Sequence, residues 1–387
     1  MKNKFGNNIE LLAPAGDFSR LKTAFYFGAD AVYLGGKEFS LRAKSSNFDD
    51  EEIMEAVKYT HAFGKKLYVT VNIFAGNDDF DGIEKYAKFL ERAGVDAVII
   101  SDLGVLKIFR TLTNLEIHIS TQANVYNSHA AMQYVELGAK RIILARELSV
   151  KDIKELCESL EGKADVEVFV HGAMCMSYSG RCLMSKYMTG RDANRGDCAH
   201  PCRYKYTLQE EKRSGEFFPV EEDDNGTYIM NSRDLCLINN LNELADAGVA
   251  SFKIEGRMKN EYYVGGVVSV YKRAMNDEKF DYMAELEKLP HRPFTKGFTF
   301  NDKDKEYEKS ATTISTYFVV AVVIENNQIR IKNKIETGDE IEILSPSESN
   351  GKIFVYNGDT ANVPEQIISI DCPYKLEACD ILRKKAR

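Results

Sequence analysis

The fold class the sequence predicts is α/β: a (β/α)8 TIM-like barrel with a long cysteine-containing insertion between strands seven and eight, plus a small C-terminal β-barrel domain. Two observations lead to the barrel and a third to the insertion. Four segments start on glycine and run into a short apolar stretch: GADAVYLGG (28–36), GVDAVIISD (94–102), GAKRIILAR (138–146) and GVASFKIEG (248–256). Glycine suits the left-handed residue that closes a helix, and unbroken apolar runs suit strands buried on both faces. Four more such runs lie between them, IELLAPAG (9–16), KLYVTVNI (66–73), EIHISTQ (116–122) and VEVFVHG (166–172). Eight strands alternating with helices is the order of a barrel. A doubly wound sheet is the alternative, but no GxGxxG follows the first strand.

In chain order, the connections read as amphipathic helices, such as DDEEIMEAVKYTHAFG (49–64) and FDGIEKYAKFLERAG (80–94). Asp49, Asp50 and the two glutamates after them put negative charge in a first turn, where the helix dipole favours it. The regular spacing fails once, between Gly172 and Ser251. That stretch is far longer than one crossover helix needs, and the insertion is set at 173–247. It leaves the C-terminal end of strand seven, so it covers the face where barrels of this class carry their active sites. EYYVGGVVSVYKRAMNDE (261–278) reads as the closing helix. Domain boundaries follow at 1–294 for the barrel and 295–387 for a small β-barrel of short strands and Gly/Asn turns.

Composition bounds the class. The 387 residues are 44% hydrophobic and 28% charged, which is ordinary for a globular protein. The start, MKNKFGNNIELLAPAG, has no apolar core of a signal peptide, and no apolar run nears the roughly 18 residues that cross a bilayer. A cytoplasmic enzyme without membrane attachment is the expectation. A formal charge of −8 excludes a chain coated in positive charge but not a local basic patch.

The insertion holds five of the eight cysteines, as Cys175-x6-Cys182-x15-Cys198-x3-Cys202-x33-Cys236. Structural zinc usually takes paired short spacings, and only one is present. An iron–sulfur cluster needs four thiolates on a compact cage, which widely separated loop cysteines can supply. Buried inert thiols, redox-active thiols and zinc remain the alternatives. The polar, Gly-rich flanks SYSGRC, NRGDC and HPCR are unlike core sequence. Cys157, Cys372 and Cys379 read as structural.

A second set sits at strand ends: Arg42, Asn72, Gln122, Arg146, His171, Glu255 and Arg257, with Asp17, Asp102, Asn124 and Glu147 beside them. A barrel core calls for apolar side chains, so polar residues gathered at this end are expected to face the mouth. Asp17, Asp102 and Glu147 read equally well as helix caps. Arg146 and Arg257 are the better binding candidates, since guanidinium groups grip carboxylate or phosphate at two points. His171 and Glu255 are the catalytic candidates. A third set interleaves Arg181, Lys186, Arg191, Arg195, Arg203, Lys205, Lys212 and Arg213 with Tyr178, Tyr187, Tyr204 and Tyr206, a pattern that suits single-stranded RNA or simply a solvated loop.

ELLAPAGD (10–17), AVYLGG (31–36), STQANVYN (120–127), ARELS (145–149), VFVHGAMCMSYSGRCLMS (168–185), NRGDCAHPCRYKY (194–206) and NSRDLC (231–236) resemble the collagenase-like peptidase family of unknown catalytic type. The likeness spans about residues 9–300, and the branch it is nearest hydroxylates the wobble uridine of tRNA. Relatives hydroxylate ribosomal RNA or act in oxygen-independent ubiquinone synthesis. The resemblance implies a 4Fe-4S cluster on Cys175, Cys182, Cys198 and Cys236, with Cys202 a fifth, non-ligating thiol. It implies prephenate, a small dicarboxylate, as co-substrate, and the tRNA anticodon loop as partner, with room for a partner protein subunit. Collagenase-like peptide hydrolysis is the second reading, but HExxH and GxSxG are absent. A Cys175–His171 pair would have to carry it, and a cluster ligand is not a free nucleophile. A non-catalytic RNA-binding subunit is the third.

Overall fold

The structure, a computed structural model, describes residues 1–41, 47–175, 177–178, 181–203, 222–223, 226–227, 233–300, 314–325 and 327–386. The chain forms two compact units, the first of residues 1–18, 30–258 and 292–312, the second of residues 19–29, 259–291 and 313–387. No helix among the described residues is long and apolar enough to cross a membrane.

The first unit contains the expected closed parallel barrel. Its strands are β1 (Glu10–Pro14), β2 (Ala31–Gly35), β3 (Lys66–Val71), β4 (Ala97–Ile100), β5 (Glu116–Ile119), β6 (Arg141–Ile143), β7 (Asp165–Ala173) and, after a short β8 (Asp234–Cys236), β9 (Ser251–Ile254). Each barrel strand pairs in parallel with the next, and β9 closes the ring by pairing with both β7 and β1. The helix expected over 49–64 forms at Asp50–Ala62, where Asp49 and Glu52 cap each other reciprocally at 2.9 and 2.8 Å. The helix expected over 80–94 forms at Phe80–Ala93 and ends on Gly94 at φ 79°.

The lumen corrects the expectation of an apolar interior. Leu12, Tyr33, Tyr68, Ile99, Ile143 and Phe169 pack there, but a charged network lies with them. Glu10 accepts from Arg141 at 2.5 Å, Tyr68 at 2.6 Å and Ser251 at 2.9 Å. Glu167, fully buried, accepts from Arg141 at 3.1 Å and Lys253 at 2.8 Å. Two carboxylates and two cations balance, which is the condition for burying charge at all. Burial alone would raise the Glu167 pKa; Lys253 and Arg141 outweigh it and hold the carboxyl below its usual range.

Strand β7 carries the feature that builds the mouth. Phe169 pairs with Lys253 but His171 pairs with Ile254, so β7 holds one extra residue, a β-bulge. Because β6 ends at Ile143, the far end of β7 has a free edge, and β8 takes it antiparallel, with Cys236 opposite His171 and Leu235 opposite Gly172. Leu237 N–H donates to the Val170 carbonyl at 2.9 Å. Gly172 sits at φ 113°, and a Cβ there would lie 2.5 Å from the Glu255 carbonyl oxygen, so only glycine fits. Asp234 is locked by Arg292, whose Nη2 and Nε donate to it at 2.7 and 3.0 Å with both residues buried.

The second unit carries a six-stranded antiparallel half-barrel in the order Ile353–Val355, Glu340–Leu344, Ile381–Lys385, Tyr317–Glu325, Gln328–Ile331, Ile367–Ser369. Alternation gives it a core of Val320, Ile329, Ile331, Ile341, Ile343 and Leu382. Arg383, buried in this unit, pairs with Glu285 at 2.6 Å and with Glu342.

Candidate active site at the barrel mouth

A cavity of about 160 Å³ opens at the C-terminal ends of the barrel strands. Its walls come from the barrel (Tyr33, Thr70, Asn72, Gln122, Phe169, Lys253) and from the insertion (Cys175, Cys182, Cys198, His200, Cys202). Arg146, Glu255, Arg257 and Arg292 also line it.

The strand-end residues mostly meet there. Asn72 holds the mouth's backbone in place: its Oδ1 accepts from Leu41 N–H at 3.2 Å and its Nδ2 reaches Ser120 at 3.4 Å. Gln122 accepts from Ser120 Oγ at 2.7 Å. Arg257, buried, donates to the hydroxyls of Ser40 at 2.8 Å and Thr70 at 2.9 Å. Arg146 donates to the Ala173 carbonyl at 3.1 Å and lies 5.4 Å from the centre of the Phe169 ring. Its Nε is buried without a hydrogen-bond partner. Glu255 accepts from the Tyr33 hydroxyl at 3.3 Å. His171 does not line the cavity. The bulge breaks the strict inside–outside alternation of β7, and the buried imidazole packs beside Phe294, 5.6 Å between rings. Asp102 takes the cap role, accepting from Gly104 N–H at 2.7 Å and Val105 N–H at 3.0 Å. Arg42 lies outside the described residues, as do Lys205, Lys212, Arg213, Tyr204 and Tyr206.

Lys253 went unnoticed in the sequence. It is a charge at an inward position of the last barrel strand, in SFKIEG, and that parity was its only signal. The hydroxyls of Tyr33, Ser40, Thr70 and Ser120 were equally silent, since serine and threonine are ordinary in strands.

None of the five insertion cysteines is in a disulfide, and four of them line the one cavity. Cys236, the fifth, is buried in β8 opposite His171. His200 N–H points at Cys198 Sγ at 3.4 Å, and the Asn194 side chain clamps the Cys182 backbone at 3.2 and 3.0 Å. Soft sulfur donors of this kind suit iron–sulfur clusters or zinc. Among the described residues no three Cys, His, Asp or Glu side chains converge closely enough to hold a metal ion.

Among the described residues, several of the insertion's cations are paired with carboxylates. Arg195 forks onto Asp79 at 2.9 and 3.0 Å, Arg191 pairs with Asp197 at 2.8 Å and Lys186 with Asp192 at 3.0 Å. Arg181 donates to the Gln122 carbonyl at 3.0 Å. The aromatic members stay outside: Tyr187 is 92% exposed and Tyr178 48%.

Against known proteins, residues 16–309 match the model of Peptidase family U32. The chain is 36% identical to tRNA hydroxylation protein P1 of Bacillus subtilis, covering 97% of this chain and 94% of that one. It is 35% identical to tRNA hydroxylation protein P of Escherichia coli, over 87% of this chain and 86% of that one. It is also 32% identical to a collagenase of Porphyromonas gingivalis, over 88% and 87%.

Proposed function

From a chain that belongs to Peptidase family U32, we propose a cytoplasmic RNA hydroxylase that converts the wobble uridine of tRNA to 5-hydroxyuridine with prephenate as co-substrate. The observation that carries the reading is the mouth cavity, where Cys175, Cys182, Cys198 and Cys202 of the insertion share walls with arginines and a lysine of the barrel. Cys175, Cys182 and Cys198 of the cavity, with Cys236 of the adjoining β8, would hold a 4Fe-4S cluster, which would supply one-electron transfer. Arg146 and Arg257 bind the carboxylates of the acid, with Asn72 and Gln122 beside them in the cavity wall. Glu255, the only carboxylate among the described lining residues, is the group there that can hold a proton. The exposed rings of Tyr178 and Tyr187 offer faces on which anticodon-loop bases stack.

The test is mass spectrometry of tRNA nucleosides from a strain lacking the gene and any paralogue. Loss of 5-hydroxyuridine and its derivatives is the expected outcome, and unchanged levels reject the reading. Cleavage of denatured collagen by the pure protein would favour the hydrolytic reading instead. His171 does not line the cavity that Cys175 lines, so the Cys175–His171 pair on which that reading would rest does not face it.

A further inference from the structure

The lip of the mouth cavity holds a cation that no carboxylate answers among the described residues. Lys186, Arg191 and Arg195 of the insertion each face one, Asp192, Asp197 and Asp79. Arg181 does not. It is exposed, and its side chain makes one hydrogen bond among the described residues, from Nε to the Gln122 carbonyl at 3.0 Å. A guanidinium has five N–H donors, so those on both Nη atoms stay open. The group is nevertheless held in place. Its Cζ lies 5.3 Å from the centre of the Phe74 ring. Phe74 is fixed in turn, its N–H donating to the Asn194 carbonyl at 3.1 Å and its carbonyl accepting from Arg195 Nη1 at 3.0 Å. Gln122, which Arg181 touches, and Cys182, which follows it, both line the cavity. Arg181 N–H closes a turn onto the Tyr178 carbonyl at 2.9 Å. The Tyr178 ring lies 6.1 Å from the Tyr126 ring, and the two residues are 48% and 43% exposed. One turn thus presents an open guanidinium fork and a pair of open aromatic faces at the edge of the cavity.

We propose that Arg181 grips a backbone phosphate of a single-stranded RNA loop and so fixes which nucleotide enters the cavity, with the next base against Tyr126 and Tyr178. This rests on the reading above and adds the residue that sets the register of the strand. Paired guanidinium donors match the two non-bridging oxygens of a phosphodiester, and each nucleotide carries one such charge beside one flat base. An acidic peptide would answer the guanidinium but leave the ring pair without a flat partner. A duplex keeps its bases stacked on one another, out of reach of the rings.

Fluorescence-anisotropy titration of the full chain tests it, over a range of salt, with an anticodon stem-loop RNA that carries an unmodified wobble uridine. Arg181→Gln should weaken binding about tenfold and flatten the slope of log affinity against log salt by about 0.7, the share of one phosphate contact on a single strand. Arg181→Lys keeps the charge and should keep the slope while losing part of the affinity. Lys186→Gln should leave the slope as it is. Tyr178→Ala should weaken binding by about 5- to 100-fold, again without a change of slope. The decisive arm alters the RNA and leaves the protein intact: one phosphodiester beside the wobble uridine is replaced by a neutral methylphosphonate. At the gripped phosphate this should weaken wild type as much as Arg181→Gln does, and should cost that variant nothing more. Additive losses at every flanking phosphate, a wild-type slope in Arg181→Gln, duplex RNA bound as tightly as the loop, or no binding by wild type overturns the proposal. Binding is read without hydroxylation, so the nucleoside analysis of the deletion strain stands or falls apart from it.

Discussion

Replacing Glu167 by Gln removes the carboxylate that faces both Lys253 and Arg141. Glu167 is fully buried and accepts from those two cations at 2.8 and 3.1 Å. After the change Lys253 loses the carboxylate it donates to, while Arg141 keeps Glu10 and the half-exposed Asp165. Breaking a buried pair by deleting one partner costs about 3–5 kcal/mol, because the surviving charge stays desolvated. An exposed pair such as Arg195–Asp79 is worth about 1 kcal/mol or less by comparison. Urea denaturation at pH 7 reads the difference, followed by tyrosine fluorescence because the chain has 20 tyrosines and no tryptophan. The pH dependence has a definite sign. The carboxyl is held below its unfolded value of about 4.3, so its contribution is complete above that pH and is lost as pH falls through the lower folded value. The gap between wild type and variant should therefore be flat from pH 7 to about 5 and narrow on further acidification. A difference under about 1 kcal/mol at pH 7, or one that widens toward acid, refutes the account of a charge-balanced lumen.

Further expectations follow from the mouth. Gly172→Ala combines a left-handed φ of 113° with a Cβ 2.5 Å from the Glu255 carbonyl, and should destabilise by about 2–5 kcal/mol in the same assay, with no change counting against the bulge geometry. Cys182→Ser should lose most of the iron and the visible absorption of anaerobically purified protein, whereas Cys202→Ser should retain both; equal iron in the two variants rejects the ligand assignment. Asp102→Ala should cost about 1 kcal/mol of stability as a lost helix cap, yet leave 5-hydroxyuridine levels intact in a complemented strain. A fall in the modified nucleoside without unfolding would give Asp102 a role at the site.

The barrel was legible because its strands are continuous apolar runs bounded by glycines such as Gly94, whose positive φ the helix end requires. The charged lumen was not, because Glu10, Arg141, Glu167 and Lys253 are scattered along the chain and become neighbours only when the ring closes. Arg146, Arg257, Asn72, Gln122 and Glu255 were legible as polar residues at strand ends and do gather at the mouth. His171 looked equivalent, but strand parity fails at a bulge, and one extra residue in a strand leaves no mark in composition. The cysteine spacing shows which thiols share the insertion. It says nothing about how far apart their sulfurs stand, since that depends on loops without periodicity.

The pairing of β8 with the end of β7 separates geometry from chain length. Residues 171–173 and 234–236 are joined rung to rung, so Cys236 keeps its place opposite His171 however many residues the chain spends between the two strands. Lengthening such an excursion costs only a slowly growing closure entropy. A change in the number of residues between the two strands thus leaves the rung that holds Cys236 where it is.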